Sequence, residues 1–160
     1  MWYGLILLLL AILIYYVYGT YLKEYFEVKK VYNTLQNVLD TRDVLLLKLT
    51  GEHVKKEEIA KVIMLIDERE KTKNAGYTIR MNADVNLNHE LQVFYPELVK
   101  VLDNPVSKEI FQRLMDLEKQ AKKVRIAYNS AVEKYNNNLI LHKKVCMRFI
   151  RMKPLDTYSL

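Results

Sequence analysis

The sequence predicts an all-α protein: an N-terminal transmembrane helix continuing into an antiparallel up-down-up-down four-helix bundle with long first and last helices. Three observations carry that expectation. Met1 to Leu22 contains no charged side chain. Glycine (4) and proline (3) are scarce in a chain of 160 residues, whereas folds rich in tight turns need more of both. Near the other end, apolar positions recur in alternating steps of four and three from Ile110 to Tyr135. The organisation expected is an anchor over residues 1–22, a helical domain over 23–153 and a tail over 154–160. Without the anchor roughly 135–140 residues remain, enough to bury a core.

The anchor comes first. Leu5 to Ile14 is aliphatic throughout, and twenty-odd helical residues rising about 1.5 Å each span about 30 Å, the thickness of a bilayer's hydrocarbon core. Trp2 and Tyr3 precede this run, and Tyr15, Tyr16, Tyr18 and Tyr21 follow it; amphipathic rings favour the two headgroup zones. A cleaved signal peptide would want a basic start and a small-x-small cleavage site. Here no Lys or Arg precedes the run and bulky tyrosines follow it, so the expected state is an uncleaved single-pass anchor in the cell membrane. Lys23, Lys29 and Lys30 come after the span; the positive-inside rule then puts the N-terminus outside and the helical domain in the cytoplasm.

Past the anchor, Val28, Val31, Leu35, Val38, Arg42, Leu45 and Leu49 keep one helical stripe, with Thr50-Gly51 as its stop. A second helix is expected over Lys55 to Lys73, turning Ile59, Val62, Ile63 and Ile66 inward, and a turn over Asn74 to Tyr77. A third runs from Asn82 or Asp84 to Asp103, kinked or broken at Pro96. Asn104-Pro105 precedes the last helix, whose seam is Ile110, Leu114, Leu117, Ala121, Val124, Tyr128, Ala131 and Tyr135. Long helices with short connections pack as bundles.

Several segments resemble the LemA family. VRIAYNSAVEKYNNNL, Val124 to Leu139, is similar to its signature of an Arg, YN, AV and YN again. FYPEL (Phe94 to Leu98) resembles its "YPxL" segment, VYNTLQNVL (Val31 to Leu39) its "YNxLV" opening, and MRFIRMKPLDTY its "FGFKP" ending. The family's "QLxRRxDLIPNLV" stretch is replaced by DVLLLKLTGEHVKKEEIAKVI, so the resemblance is to a divergent member and nothing dependent on that stretch carries over. The resemblance implies an N-terminal membrane helix, a four-helix bundle and no enzymatic activity.

Candidate functional residues are few. Tyr128-Asn129 and Tyr135-Asn136 stand seven residues apart, on equivalent positions two turns apart. They are expected to make interhelical polar contacts, with Tyr32 and Asn33 as partners, because a buried tyrosine wants a hydrogen bond. Arg42 interrupts an apolar stripe and must pair with a carboxylate, Glu118 or Asp116, or reach water. His142 and Cys146 share a helical face, but two ligands do not close a zinc site, and His53 and His89 add nothing. No catalytic triad, phosphate loop or carboxylate pair follows from the spacings, so no cofactor, metal or catalytic residue is expected. The single cysteine excludes an intramolecular disulfide.

The net charge of +6 suits an anionic surface. Lys143, Lys144, Arg148, Arg151 and Lys153 form an acid-free basic segment that, in the expected topology, returns to the headgroups beside Lys23, Lys29 and Lys30. At about 1 kcal/mol per cation near anionic lipid, such a segment would dock. The expected partners are the lipid bilayer and an unidentified protein, or self-association. Nucleic acid, bound through the basic segment, is the alternative from another class, and its mark would be a steep salt dependence.

Overall fold

In a computed structural model the described residues are 2–53, 56–102, 104–146 and 153–158, with the side chains at 51–53, 56–58, 101 and 141–146 outside the description. Every regular element among them is a helix: α1 (Trp2–His53), α2 (Lys56–Lys71), α3 (Tyr77–Val101) and α4 (Pro105–Cys146).

Helix α1 runs on through Gly51 to His53 instead of stopping at Thr50-Gly51. Thr20, Thr34 and Thr41 turn their hydroxyls back onto the carbonyls of Tyr16, Lys30 and Asn37, keeping those polar groups inside the helix's own bonding. Between α2 and α3 the chain turns over Thr72 to Ala75, closed by Ala75 N–H to Thr72 C=O at 2.9 Å. Helix α3 begins at Tyr77, several residues before the expected Asn82 or Asp84. It is continuous past Pro96, so the break considered there does not occur. Gln92, whose carbonyl loses its usual partner to the proline, and Pro96 are both exposed, so water meets the orphaned group. Helix α4 opens with Pro105 at the first helical position. The Asn104 side chain accepts from Val106 N–H at 3.0 Å, an arrangement that satisfies one of the donors a helix start leaves over.

The chain packs as two compact units, Met1–Thr34 with Val124–Thr157, and Leu35–Lys123 with Tyr158–Leu160. In the first unit α1 and α4 run in opposite directions, Tyr21 meeting Tyr135 and Tyr32 meeting Tyr128. Its buried apolar side chains include Val17, Val28, Val132 and Leu139. Trp2 to Tyr16 lie outside that core, and all are exposed.

The second unit holds the larger apolar core. Leu46 and Leu49 of α1, Ile59, Val62 and Ile66 of α2, Leu87, Leu91, Phe94 and Leu98 of α3, and Leu114 of α4 form one cluster. Ile63, expected inside, is 44% exposed, whereas Ile59, Val62 and Ile66 are buried; about 100° round from Val62, it stands at the edge of their stripe. On α4 the buried positions are Leu114, Ala121, Tyr128 and Tyr135, the one-per-heptad set. Leu117, Val124 and Ala131 are half-buried, and Arg125 and Val132 take the deeper places beside them.

Leu91 and Leu114 are fully buried, so Leu91→Ala and Leu114→Ala should each destabilise the domain by about 2–5 kcal/mol. Ile63→Ala on the open face should cost under about 1 kcal/mol. Denaturant titration followed by far-UV circular dichroism checks the contrast.

Candidate functional site

The second unit is organised around Arg69. On α2 the positions Ile59, Val62, Ile66 and Arg69 fall on one helical face, so the guanidinium is carried inward with the aliphatic side chains and is 1% exposed. Such a burial requires every donor to be met. Nε donates to Asp84, Nη1 to Asp40 at 2.6 Å and Asp43 at 2.8 Å, and Nη2 to Gln36 at 2.7 Å. Burial opposes the Arg69 charge, but Asp84 and Asp43 more than offset it and hold its pKa above the ordinary arginine value.

Arg80 of α3 closes the arrangement from the other side. Its Nε donates to Gln36 Oε1 at 2.6 Å and its Nη2 to Asp40 at 3.2 Å, while Nη1 reaches the Lys73 carbonyl at the α2–α3 turn. Asp84 accepts on its second oxygen from Gln36 Nε2 at 2.9 Å and from the Tyr158 hydroxyl at 2.6 Å. Gln36 Nε2 also donates to that hydroxyl at 3.0 Å. Tyr158 is itself buried.

Arg42, fully buried, extends the network along α1. Its Nε donates to Asp43 at 2.9 Å and its Nη1 lies 3.4 Å from Glu118; Nη2 sits 2.8 Å from Asp43 without forming a hydrogen bond of its own. Burial opposes the Arg42 charge and Asp43 and Glu118 outweigh it, raising its pKa. Burial pushes the Asp43 carboxyl up against the pull of Arg42 and Arg69, so its ionised form depends on both guanidiniums. Glu118 also accepts from the Tyr95 hydroxyl at 2.7 Å. Burial and then Glu118 push the Tyr95 phenol up, which keeps it a donor.

This is the chemistry of a clamp. Asp43 and Asp84, the buried carboxylates of this unit, each already face a guanidinium. Beside the clamp, α1 and α2 leave an open groove of about 470 Å³ with Val44, Leu47, Ile63 and Ile66 on its apolar side and Asp40 and Arg69 at its polar one. Among the described residues no three His, Cys, Asp or Glu side chains are placed to hold a metal ion.

The first unit carries a second polar constellation. The Tyr21 hydroxyl donates to that of Tyr135, their rings 4.8 Å apart, and Asn138 donates to buried Glu24. Residues 153–157 lie extended along α4. Tyr135 donates to the Lys153 carbonyl at 3.4 Å and Tyr128 to the Asp156 carbonyl at 3.2 Å. Asn136 donates to the Leu155 carbonyl at 2.9 Å and accepts from the Leu155 N–H at 3.0 Å.

The residues singled out in the sequence fall into three groups. Arg42, Tyr32, Tyr128 and Tyr135 lie buried at helix contacts. Asn136 reaches the 153–157 segment instead of another helix, because it sits one residue round α4 from the Tyr135 contact with α1. Asn33 is exposed, about 100° round α1 from Tyr32, and Asn129 is half-buried. Lys23, Lys29, Lys30 and Lys153 are exposed. Arg148 and Arg151 lie outside the described residues, as do the side chains of Lys143, Lys144, His142 and Cys146. Asp116, the other partner considered for Arg42, is exposed and pairs with Lys119.

Sequence reasoning missed Arg69, Arg80, Asp84 and Tyr158. Arg69 could have been found, since it continues the 59–62–66 stripe as Arg42 continues its own. No family model, curated protein or solved structure matches the chain.

Arg69→Met leaves Asp40, Asp43 and Asp84 facing one another, and should destabilise the fold by about 3–5 kcal/mol. Arg69→Lys should recover little, since one ammonium cannot span four acceptors. Tyr158→Phe removes the donor to Asp84 and the acceptor for Gln36 Nε2 and should cost about 1–3 kcal/mol. Chemical denaturation of the three variants ranks them.

Proposed function

We propose that this chain is a non-catalytic, single-pass membrane protein whose helical bundle, up-down-up-down, serves as a protein-interaction or scaffold module at the bilayer. One observation carries the reading. Trp2 to Tyr16 form an apolar helical rod with no protein cover, and α1 is the described helix long and apolar enough to cross a membrane. Leu7, Leu8, Leu9 and Ile12 are each more than half exposed. In water that contiguous apolar surface would be costly; in lipid it needs no cover.

The non-catalytic half is supported by the saturation of the buried charges. Asp40, Asp43 and Asp84 each accept from an arginine, which leaves none of these three poised as a base. The interaction half is supported by the groove between α1 and α2, where Val44, Leu47 and Ile63 stay exposed on a face that polar side chains would suit better if it met only water. Lys23, Lys29 and Lys30 beside the span favour a cytoplasmic bundle. Membership of the LemA family is part of the same proposal; it is supported by the motif order and by an all-helical fold.

Sodium carbonate extraction tests the central claim: the full chain should stay in the membrane pellet, and Leu8→Arg with Leu9→Arg should move most of it to the supernatant. A full-length chain released by carbonate, or found shortened by its first two dozen residues, sinks the reading. For orientation, a protease should reach a tag following Leu160 only after the cell membrane is opened from the cytoplasmic side.

A further inference from the structure

Gly19 lies two residues past Val17 and two before Tyr21, about 160° round α1 from both. Val17 and Tyr21 are buried and Gly19 is exposed, so it sits on the face of α1 turned away from α4. Inside a helix glycine is less favourable than alanine. Neither backbone nor packing asks for it here: the residue keeps ordinary helical conformation, and a Cβ added to it would meet nothing within 4 Å. The bare backbone floors a shallow notch of about 490 Å³, walled by Tyr15, Tyr16, Tyr18, Leu22 and Lys23.

The notch is apolar at one end and cationic at the other. Side chains on a helix lean toward its N-terminus, so Leu22 and Lys23 lean over Gly19 from the bundle side, while Tyr15 and Tyr16 border it on the side of the apolar rod. Glu24 and Glu27, the carboxylates nearest in sequence to Lys23, are drawn to α4. Glu24 accepts from Asn138, and Glu27 lies 4.0 Å from Lys134. The exposed Lys23 charge is left to meet its surroundings.

We propose that this notch binds one anionic phospholipid, an acyl chain lying over Gly19 between the tyrosine rings and Leu22, and the phosphate on Lys23. The inference rests on the membrane reading above. Lys23 is the first charge after the uncharged residues 1–22, so the notch opens where acyl chains give way to headgroups, and phospholipid is the molecule that surrounds it there. The preference for net negative charge follows from Lys23, because the choline of a zwitterionic lipid would bring a second cation beside it. A second copy of α1 fits poorly. Copies inserted in the same direction pair through identical surfaces, which would set Lys23 against Lys23. The bulky rims at Tyr15, Tyr16 and Tyr18 would also keep apart two backbones that only small residues let approach closely.

The test uses the full chain in phosphatidylcholine vesicles doped with a phosphatidylglycerol that carries a photoactivatable acyl chain, with labelled residues mapped by peptide mass spectrometry. Labelling should concentrate on Tyr15 to Lys23, and unlabelled phosphatidylglycerol should displace it where added phosphatidylcholine does not. Gly19→Leu, which fills the notch without touching protein, and Lys23→Gln should each cut that labelling about fivefold. Lys29→Gln, an exposed lysine outside the notch, should leave it near the parent level. Unchanged labelling in Gly19→Leu overturns the proposal. So does an equal loss in Lys23→Gln and Lys29→Gln, the mark of attraction to the charged surface as a whole, and so does equal displacement by phosphatidylcholine. Gly19→Cys in a Cys146→Ala background tests the rival occupant: a disulfide-linked dimer in the same vesicles would put a second copy in the notch and overturn the lipid site. Carbonate extraction tells this failure from that of the membrane reading. A parent chain that stays in the pellet without the labelling pattern sinks the site alone, and one released by carbonate sinks both.

Discussion

A guanidinium taken out of water needs acceptors for its N–H groups, and the four hydrogen bonds that Arg69 makes fix much of the second unit. The acceptors come from α1 (Gln36, Asp40, Asp43) and α3 (Asp84), while Arg69 stands on α2. A sliding of any one helix along the others would leave a buried donor or carboxylate alone, so the clamp selects one register from those that the apolar core would accept. Leucine and isoleucine are interchangeable in that respect: Leu46, Leu87, Leu91 and Leu98 could repack a turn away with modest loss. Arg80 and Arg42 repeat the device on either side, each bonded to carboxylates that Arg69 or Tyr95 also engages. The network's value lies in specificity more than in net energy, because the desolvation of so many charges cancels most of their attraction.

The elements were legible in the sequence because their cause is local. Four apolar stripes with helical period, few glycines and the Asn104-Pro105 start are properties of short windows, and the helices appear within several residues of where those windows put them. Pro96 does not end α3, because the effect of a helical proline depends on whether its lost bond faces water, which one chain segment does not reveal. Ile63 misled for a related reason: an apolar residue at the edge of a stripe is buried only if a neighbour covers that edge. The clamp was half legible. Arg42 stood out as a charge within an apolar stripe, yet Arg69 does the same on α2 and passed as surface, since the last turn of a helix commonly carries basic residues for the dipole's sake. Asp84, Gln36 and Tyr158 had no local signal at all, because their pairing is long-range.

The YN pairs show how one pattern can serve two contacts. The tyrosine ring packs across to α1, Tyr128 on Tyr32 and Tyr135 on Tyr21, while each hydroxyl donates outward to the extended segment. A phenol suits this double use, with an apolar body and a polar tip on opposite ends. Asn136, one residue further round the helix from Tyr135, bonds the segment rather than α1. Tyr158 continues the same chemistry in the second unit, its ring buried and its hydroxyl spent on Asp84.

On α1 the buried stripe starts at Val17 and continues through Tyr21, Glu24 and Val28, in steps of four and three. Trp2 to Tyr16 alone would rise only about 22 Å, less than the roughly 30 Å of hydrocarbon that a span must cross. For the proposed anchor to reach across, the turn from Val17 to Tyr21 has to belong to the membrane as well as to the fold. In the proposed membrane reading the Tyr21–Tyr135 contact would then lie where lipid gives way to headgroups, the zone amphipathic rings favour. A phenol pair there needs no water for its inner hydroxyl, since Tyr21 donates to Tyr135 and Tyr135 to the Lys153 carbonyl. Lys23, exposed, is the first charged side chain after the rod, and Glu24 beside it, one turn beyond Tyr21, is buried against Asn138.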